Sequence, residues 1–207
     1  SIKAIFQEIF AVARNIELPE QISYLGPEGS FTHQAAESNF GSTSKYLPLN
    51  SIKSVFNSVQ SNKAKYGIIP LENNQEGIVQ ETIDLLGQST LSIIAELPMS
   101  ITFSFATRSK EVNKIKRIYS KDIAFKQCKE FIENYFSDDV DCIPVNSTSA
   151  AVNYADKQAD SAAICSRFAA VQKNVPILFD KIEDSTNNHT RFVTLSSVTN
   201  KIKSKSD

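Results

Sequence analysis

Apolar residues recur along this chain in two rhythms. In residues 1–17, Ile2, Ile5, Phe6, Ile9, Phe10 and Ala13 fall three and four apart. That spacing predicts one apolar stripe on an amphipathic helix, stopped by Pro19. From residue 21 short apolar runs alternate with helical patterns. Residues 22–25 read as a strand, and "GPEGS" then opens a helix with Ser30 as its N-cap. Residues 46–49 read as a second strand. Ser51 caps a helix whose Ile52, Val55, Phe56 and Val59 share one face, and residues 66–71 form a buried strand. "NNQEG" precedes a helix through Val79, Ile83 and Leu86. Residues 91–95 and 101–106 read as strands interrupted at Pro98.

The second stretch repeats the alternation. Strands are expected at 115–119, 140–145, 162–165, 177–179 and 191–194, and helices at 124–135, 149–155 and 166–172. Such alternation predicts an α/β fold with mostly parallel sheet. The break near Pro98 divides it into two lobes, the first of residues 20–98 and 180–200 and the second of 99–179. Residues 201–207 form a polar tail. Ligands of open α/β sheets sit beyond the carboxyl ends of the strands. The polar loops "GPEGS", "ENNQEG", "YSKD", "NSTSA" and "NNHT" are therefore candidates to line one cleft.

Composition narrows the class. The 207 residues are 41% hydrophobic and 22% charged, and 22 basic against 23 acidic side chains leave a formal charge of −1. This is a globular composition without the basic excess of a nucleic-acid binder. No apolar run approaches the ~20 residues of a membrane span, and no secretion signal is visible. Cys128, Cys142 and Cys165 lack CxxC spacing and suit a reducing compartment. His33 and His189 are too few for a zinc site, and no metal-binding spacing occurs.

The loops carry what chemistry there is. "GPEGSFTH" turns a strand into a helix, where free amides attract an anion and Ser30 adds a hydroxyl; a capped turn without ligand accounts for it equally. It is not GxGxxG, and Glu28 opposes an anion. "PLENNQEG" sets amides after a buried strand, where they can donate and accept or simply cap the next helix. "YSKDIAFKQC" brings Ser120 to a strand end and Gln127 near the start of the following helix, so both can face one cleft. "NSTSAA" reads as a helix cap with Ser147 or Thr148 supplying the oxygen, or as a place where the same amides hold an anion. "NNHTRFVTL" crowds two amides, an imidazole and a hydroxyl just ahead of a strand beginning at Arg191. His189 there is an acid–base candidate or a plain turn residue. No GxSxG supports serine hydrolase chemistry.

Taken together and in order, "YLGPEGSFTHQAA", "GIIPLENNQEGIVQETIDLL", "YSKDIAFKQC", "NSTSAAV" and "NNHTRFVTL" resemble the prephenate dehydratase family across residues 21–195. The resemblance implies a fold like a type II periplasmic binding protein, two α/β lobes with the active cleft between them. It implies the decarboxylating dehydration of prephenate to phenylpyruvate, a cytoplasmic lyase step of aromatic amino acid biosynthesis needing no metal or organic cofactor. Aromatisation drives that reaction, so the enzyme chiefly binds the dianion and helps hydroxide leave. Thr190 matches the threonine of the family's Thr-Arg-Phe motif and would donate toward the departing oxygen. Asn73, Ser120 and Gln127 match substrate-contacting positions; Ser30 beside Gly29, and Ser149, are further carry-overs. Arg191 would organise the strand mouth or pair with a carboxylate, and Phe192 would pack near the ring or in the core.

The chain departs from the family where Ser-His-Pro-Gln becomes Ser120-Lys121-Asp122-Ile123, and where Gly-Thr becomes Gly29-Ser30. The end falls too soon after Phe192 for the phenylalanine-binding ACT domain that often follows. Residues 1–19 resemble the last helix of a chorismate mutase domain, as in fused mutase–dehydratases; an unrelated helix packed on this domain or a second subunit is the other reading. With the exposed stripe, the family pattern suggests a homodimer or larger assembly. The rival functions are a non-catalytic binding module on the same fold, favoured by the altered loop, and an arogenate dehydratase.

Overall fold

The computed structural model of the chain describes residues 20–136 and 140–197. The amphipathic stripe at 1–17 and the tail at 201–207 lie outside the described residues. The elements follow the predicted alternation. They are β1 (Gln21–Leu25), α1 (Phe31–Phe40), β2 (Lys45–Leu49), α2 (Ile52–Gln60), β3 (Tyr66–Asn73), β4 (Gly77–Ile78), α3 (Gln80–Gln88), β5 (Ser92–Ser100) and β6 (Ser104–Thr107). After a 3-10 turn come β7 (Arg117–Ser120), α4 (Asp122–Gln127), α5 (Lys129–Tyr135), β8 (Asp141–Pro144), α6 (Thr148–Lys157), β9 (Ser161–Cys165), α7 (Arg167–Gln172), β10 (Ile177–Asp180) and β11 (His189–Ser196). Among the described residues no helix is long and apolar enough to cross a membrane.

The chain forms two α/β units. One holds the described residues up to Gly26, Ala35–Met99 and those from Thr190 on; the other holds Pro27–Gln34 and Ser100–His189. The expected lobes, 20–98 with 180–200 against 99–179, differ from this at three places, since residues 27–34 and 180–189 belong to the second unit and Met99 to the first. Backbone hydrogen bonds explain the second difference. Ile182 N–H donates to Phe103 O, Asp184 N–H to Gln127 O, and Ile101 N–H to Asn188 O.

In the first unit the sheet order is β2-β1-β3-β11-β5, with the two-residue β4 paired to β3. β1 runs parallel to β2 and β3, whereas β11 returns antiparallel to β3. The sheet is therefore mixed rather than mostly parallel. Ile52, Val55, Phe56 and Val59 of α2 close over Ile69, Val193 and Leu195. Burying each such side chain contributes about 1.5–3 kcal/mol. The helix lies so close to β3 that a Cβ on Gly67 would come within 2.8 Å of Val55 Cγ1. Ser51 Oγ caps α2 by accepting from Ser54 N–H at 3.1 Å. The strands expected at 91–95 and 101–106 are β5 and β6, but β5 runs on through Pro98 to Ser100, so the break between them falls at 101–103 and not at Pro98. β5 is an edge strand, where a residue lacking an N–H is tolerated.

In the second unit the order is β10-β6-β9-β7-β8, with β7 parallel to β8 and β9, and with β6 and β10 antiparallel. Small side chains, Ala106, Ala151, Ala155, Ala163, Ala169 and Ala170, fill its core and let α6 and α7 pack closely on the sheet. Phe105 gathers Phe131 and Phe136, each with ring centroids 5.3 Å away. Ser147 Oγ caps α6 through Ala150 N–H, and Ser166 Oγ caps α7 through Ala169 N–H. The single helix expected at 124–135 is two, since Cys128 leaves helical geometry at φ −124°, ψ 28°.

Candidate functional site

β11 begins at His189, so Thr190 lies within the strand and not in a loop ahead of it. The antiparallel register sets Thr190 opposite Asn73, the last residue of β3. Between Arg191 and Phe192 the register slips past Leu71, a β-bulge. Bulges re-aim side chains at strand ends. The carbonyl of Pro70 beside this bulge accepts instead from the hydroxyl of the fully buried Thr82, at 2.8 Å.

The polarity of the Asn73–Thr190 contact follows from the loop after β3. Asn73 Oδ1 accepts from Gln75 N–H at 2.8 Å and Glu76 N–H at 3.0 Å. That fixes the carboxamide, which must present its NH₂ to Thr190. Asn73 Nδ2 donates to Thr190 Oγ1 at 2.9 Å. The threonine oxygen is thus an acceptor toward Asn73, and its own O–H is left as a donor. A hydroxyl that accepts a hydrogen bond is polarised into a stronger donor. Thr190 is buried, where such a donor acts in a lower dielectric than water.

Arg191 pairs across the strands with Glu72, its register partner, and its Nη1 lies 3.6 Å from Glu96. Hydrogen bonding and charge from Glu72, then charge from Glu96, raise the guanidinium pKa further, so it stays cationic. Both carboxylates that Arg191 meets here, Glu72 and Glu96, belong to the protein, so its guanidinium ties β11 to β3 and β5 at the strand mouth. Phe192 is buried in the unit, opposite Pro70. A cavity of about 390 Å³ in the same unit, lined by Asn39, Glu96 and Pro98 among others, includes none of the sequence-predicted site residues.

In the second unit, Ser30 caps α1 as expected, accepting from His33 N–H at 3.2 Å. The turn before it is drawn tight. Gly29 has φ +78°, and a Cβ there would lie 3.1 Å from Ser149 Cβ. Gly29 N–H donates to His33 Nδ1 at 3.1 Å, which fixes the tautomer with the proton on Nε2. Burial lowers the His33 pKa, and Glu28 partly opposes this. Nothing in the motifs assigns His33 this contact; its i,i+4 spacing from Gly29 is the signal that could have found it. Ser149 is buried beside this turn, its Oγ 3.2 Å from Ser147 Oγ. Hence "GPEGS" and "NSTSA" do meet.

Ser120 is fully buried, and its hydroxyl donates to Ile164 O at 2.6 Å. Gln127 does not start a helix; it ends α4, and its Oε1 accepts from Asn188 Nδ2 at 3.1 Å. The loss of the family's proline between them has a physical replacement. Lys121 adopts φ −75°, ψ 151°, and Asp122 takes the first helical position, where an acidic side chain suits the positive end of the helix. His189 is exposed, with Nδ1 3.1 Å from Ser100 Oγ. Among the described residues no three His, Cys, Asp or Glu side chains gather as a metal site.

Known proteins match this chain along most of its length. The family model "Prephenate dehydratase" fits residues 22–200. The bifunctional chorismate mutase/prephenate dehydratase of Aquifex aeolicus is 34% identical over 191 residues, covering 92% of this chain and 52% of that protein. The prephenate dehydratase of Bacillus subtilis is 30% identical over 182 residues, 85% of this chain and 64% of that one. The chain thus spans about half the length of the bifunctional relatives it matches. Among solved structures, the prephenate dehydratase of Arthrobacter aurescens in complex with L-Phe superposes with a TM-score of 0.78 at 28% identity, over 86% of this chain and 61% of that one. With its motifs, its fold and the match along nearly all of its described residues in agreement, the chain belongs to the prephenate dehydratase family.

Proposed function

We propose that this chain converts prephenate to phenylpyruvate, carbon dioxide and water, as a step of phenylalanine biosynthesis. The observation that carries the proposal is the polarity of the Asn73–Thr190 hydrogen bond, with Asn73 donating and the Thr190 O–H left to donate onward. In the reaction the C–CO₂⁻ bond breaks, its electron pair enters the ring, and the ring C–OH bond breaks with its pair leaving on oxygen. Negative charge develops on the departing hydroxyl, the Thr190 O–H stabilises it, and the released hydroxide takes a proton from solvent to become water. A threonine is too weak an acid to transfer its proton outright, so preorganised hydrogen bonding is the economical role. One such donor accounts for about 10²–10³ in rate.

Arg191, held by Glu72 and Glu96, keeps the mouth of β11 in place beside Thr190, and Phe192 anchors the strand in the core. Ser30, Ser149 and Gln127 belong to the substrate-contact set by resemblance. Ser120 has committed its O–H to Ile164, so its part toward substrate is as an acceptor or through shape. The test is product identification by mass after mixing the chain with prephenate. Phenylpyruvate formed well above the spontaneous rate supports the proposal. Binding without turnover would overturn it in favour of a binding module. A preference for arogenate, with phenylalanine as product, would reassign the substrate.

A further inference from the structure

The interruption of the helix at Cys128 is splinted by a loop remote in sequence. Asp184 spans the break. Its backbone N–H donates to Gln127 O at 2.7 Å, Oδ2 accepts from Lys129 N–H at 3.0 Å, and Oδ1 accepts from Glu130 N–H at 3.1 Å. One residue thereby holds the last carbonyl of α4 and two of the orphan amides that open α5. The loop carrying it is itself fixed. Lys181 turns it at φ +55°, Ile182 N–H donates to Phe103 O, and Glu183 Oε2 accepts from Phe103 N–H at 2.7 Å. Four residues beyond Asp184, the buried Asn188 accepts at its carbonyl from Ile101 N–H and donates Nδ2–H to Gln127 Oε1. Gln127 is thus held at its backbone by Asp184 and at its side chain by Asn188.

We propose that Asp184 is a positioning residue for Gln127, clamping the break so that the Gln127 carboxamide keeps one orientation toward substrate. The proposal rests on the prephenate dehydratase reading of Gln127. Without Asp184, Gln127 O and the amides of Lys129 and Glu130 lose the group that ties them together. The segment can then close into continuous helix or fray, and either outcome turns the Gln127 side chain away from Asn188.

The test is a double-mutant cycle with Asp184→Ala and Gln127→Ala in the full chain. Steady-state kinetics with prephenate is joined by NMR of the Gln127 side-chain amide and by amide exchange at Lys129 and Glu130. Asp184→Ala is expected to lower kcat/KM about tenfold, mostly through KM, with no further loss in the Gln127→Ala background. The Gln127 side-chain resonances should shift, and the Lys129 and Glu130 amides should exchange faster. Asp184→Asn, which keeps one acceptor oxygen, should fall between and serves the same cycle if the alanine variant does not fold. Additive losses in the cycle, or an unmoved Gln127 side-chain signal in the variant, would overturn the proposal. A wild-type chain without turnover would sink the functional reading alone, because the NMR arm still decides whether Asp184 sets Gln127.

Discussion

Replacing Asn73 by aspartate should reverse one hydrogen bond and leave its surroundings intact. The carboxylate can still accept from Gln75 N–H and Glu76 N–H, now 2.8 and 3.0 Å from Oδ1. It cannot donate to Thr190 Oγ1, 2.9 Å from the present Nδ2. The Thr190 O–H must then turn toward the new carboxylate, and the donor aimed at the leaving oxygen is lost. Removing one preorganised donor costs about 2.7–4 kcal/mol of transition-state stabilisation, or 10²–10³ in kcat. Folding should change by no more than about 1 kcal/mol, since a hydrogen bond is exchanged for another in the same place. Phenylpyruvate formation at saturating prephenate, measured beside a urea unfolding midpoint, separates the two effects. A folded Asn73→Asp protein with kcat within about threefold of wild type would refute the assignment of donor and acceptor.

Three further outcomes follow from the same geometry. Gly29→Ala should lower unfolding free energy by about 1–3 kcal/mol in urea titrations, because an L side chain is strained at positive φ and its Cβ would crowd Ser149. Thr82→Val should cost about 1–3 kcal/mol by the same measurement, since the Pro70 carbonyl loses its donor beside the bulge. Burial holds the His33 pKa below its ordinary value, so the unfolded chain takes up that proton first. The stability this contributes is present above about pH 6.5 and is lost as pH falls through the lower folded-state value. Urea midpoints should therefore drop on acidification below about pH 6.5, and His33→Asn should flatten that drop.

Much of the fold was legible because local rules and tertiary packing agree. The stripe Ile52, Val55, Phe56 and Val59 is the face that α2 buries, and Ser51 caps that helix with its own hydroxyl. Local rules failed where distant partners decide. Pro98 reads as a break, but the edge position of β5 absorbs it. The apolar spacing from Ala124 to Tyr135 continues unbroken through Cys128, whereas the interruption there is spanned by Asp184, 55 residues from Lys129. No pattern near Asp184 announces that bond. At the site, Thr190 was identified by its motif, yet its strand position and its partner depend on the β3–β11 register. The roles of Arg191 stayed open in the sequence because its carboxylate partners, Glu72 and Glu96, are brought to it only by the sheet.

The most direct measurement is kcat for prephenate in Thr190→Val and Thr190→Ser. Valine keeps the shape of the side chain and removes the O–H; serine keeps the O–H and removes a methyl group. The account predicts a loss of about 10²–10³ for valine, and for serine a rate within about tenfold of wild type. A valine variant that turns over prephenate as fast as the wild type would contradict it.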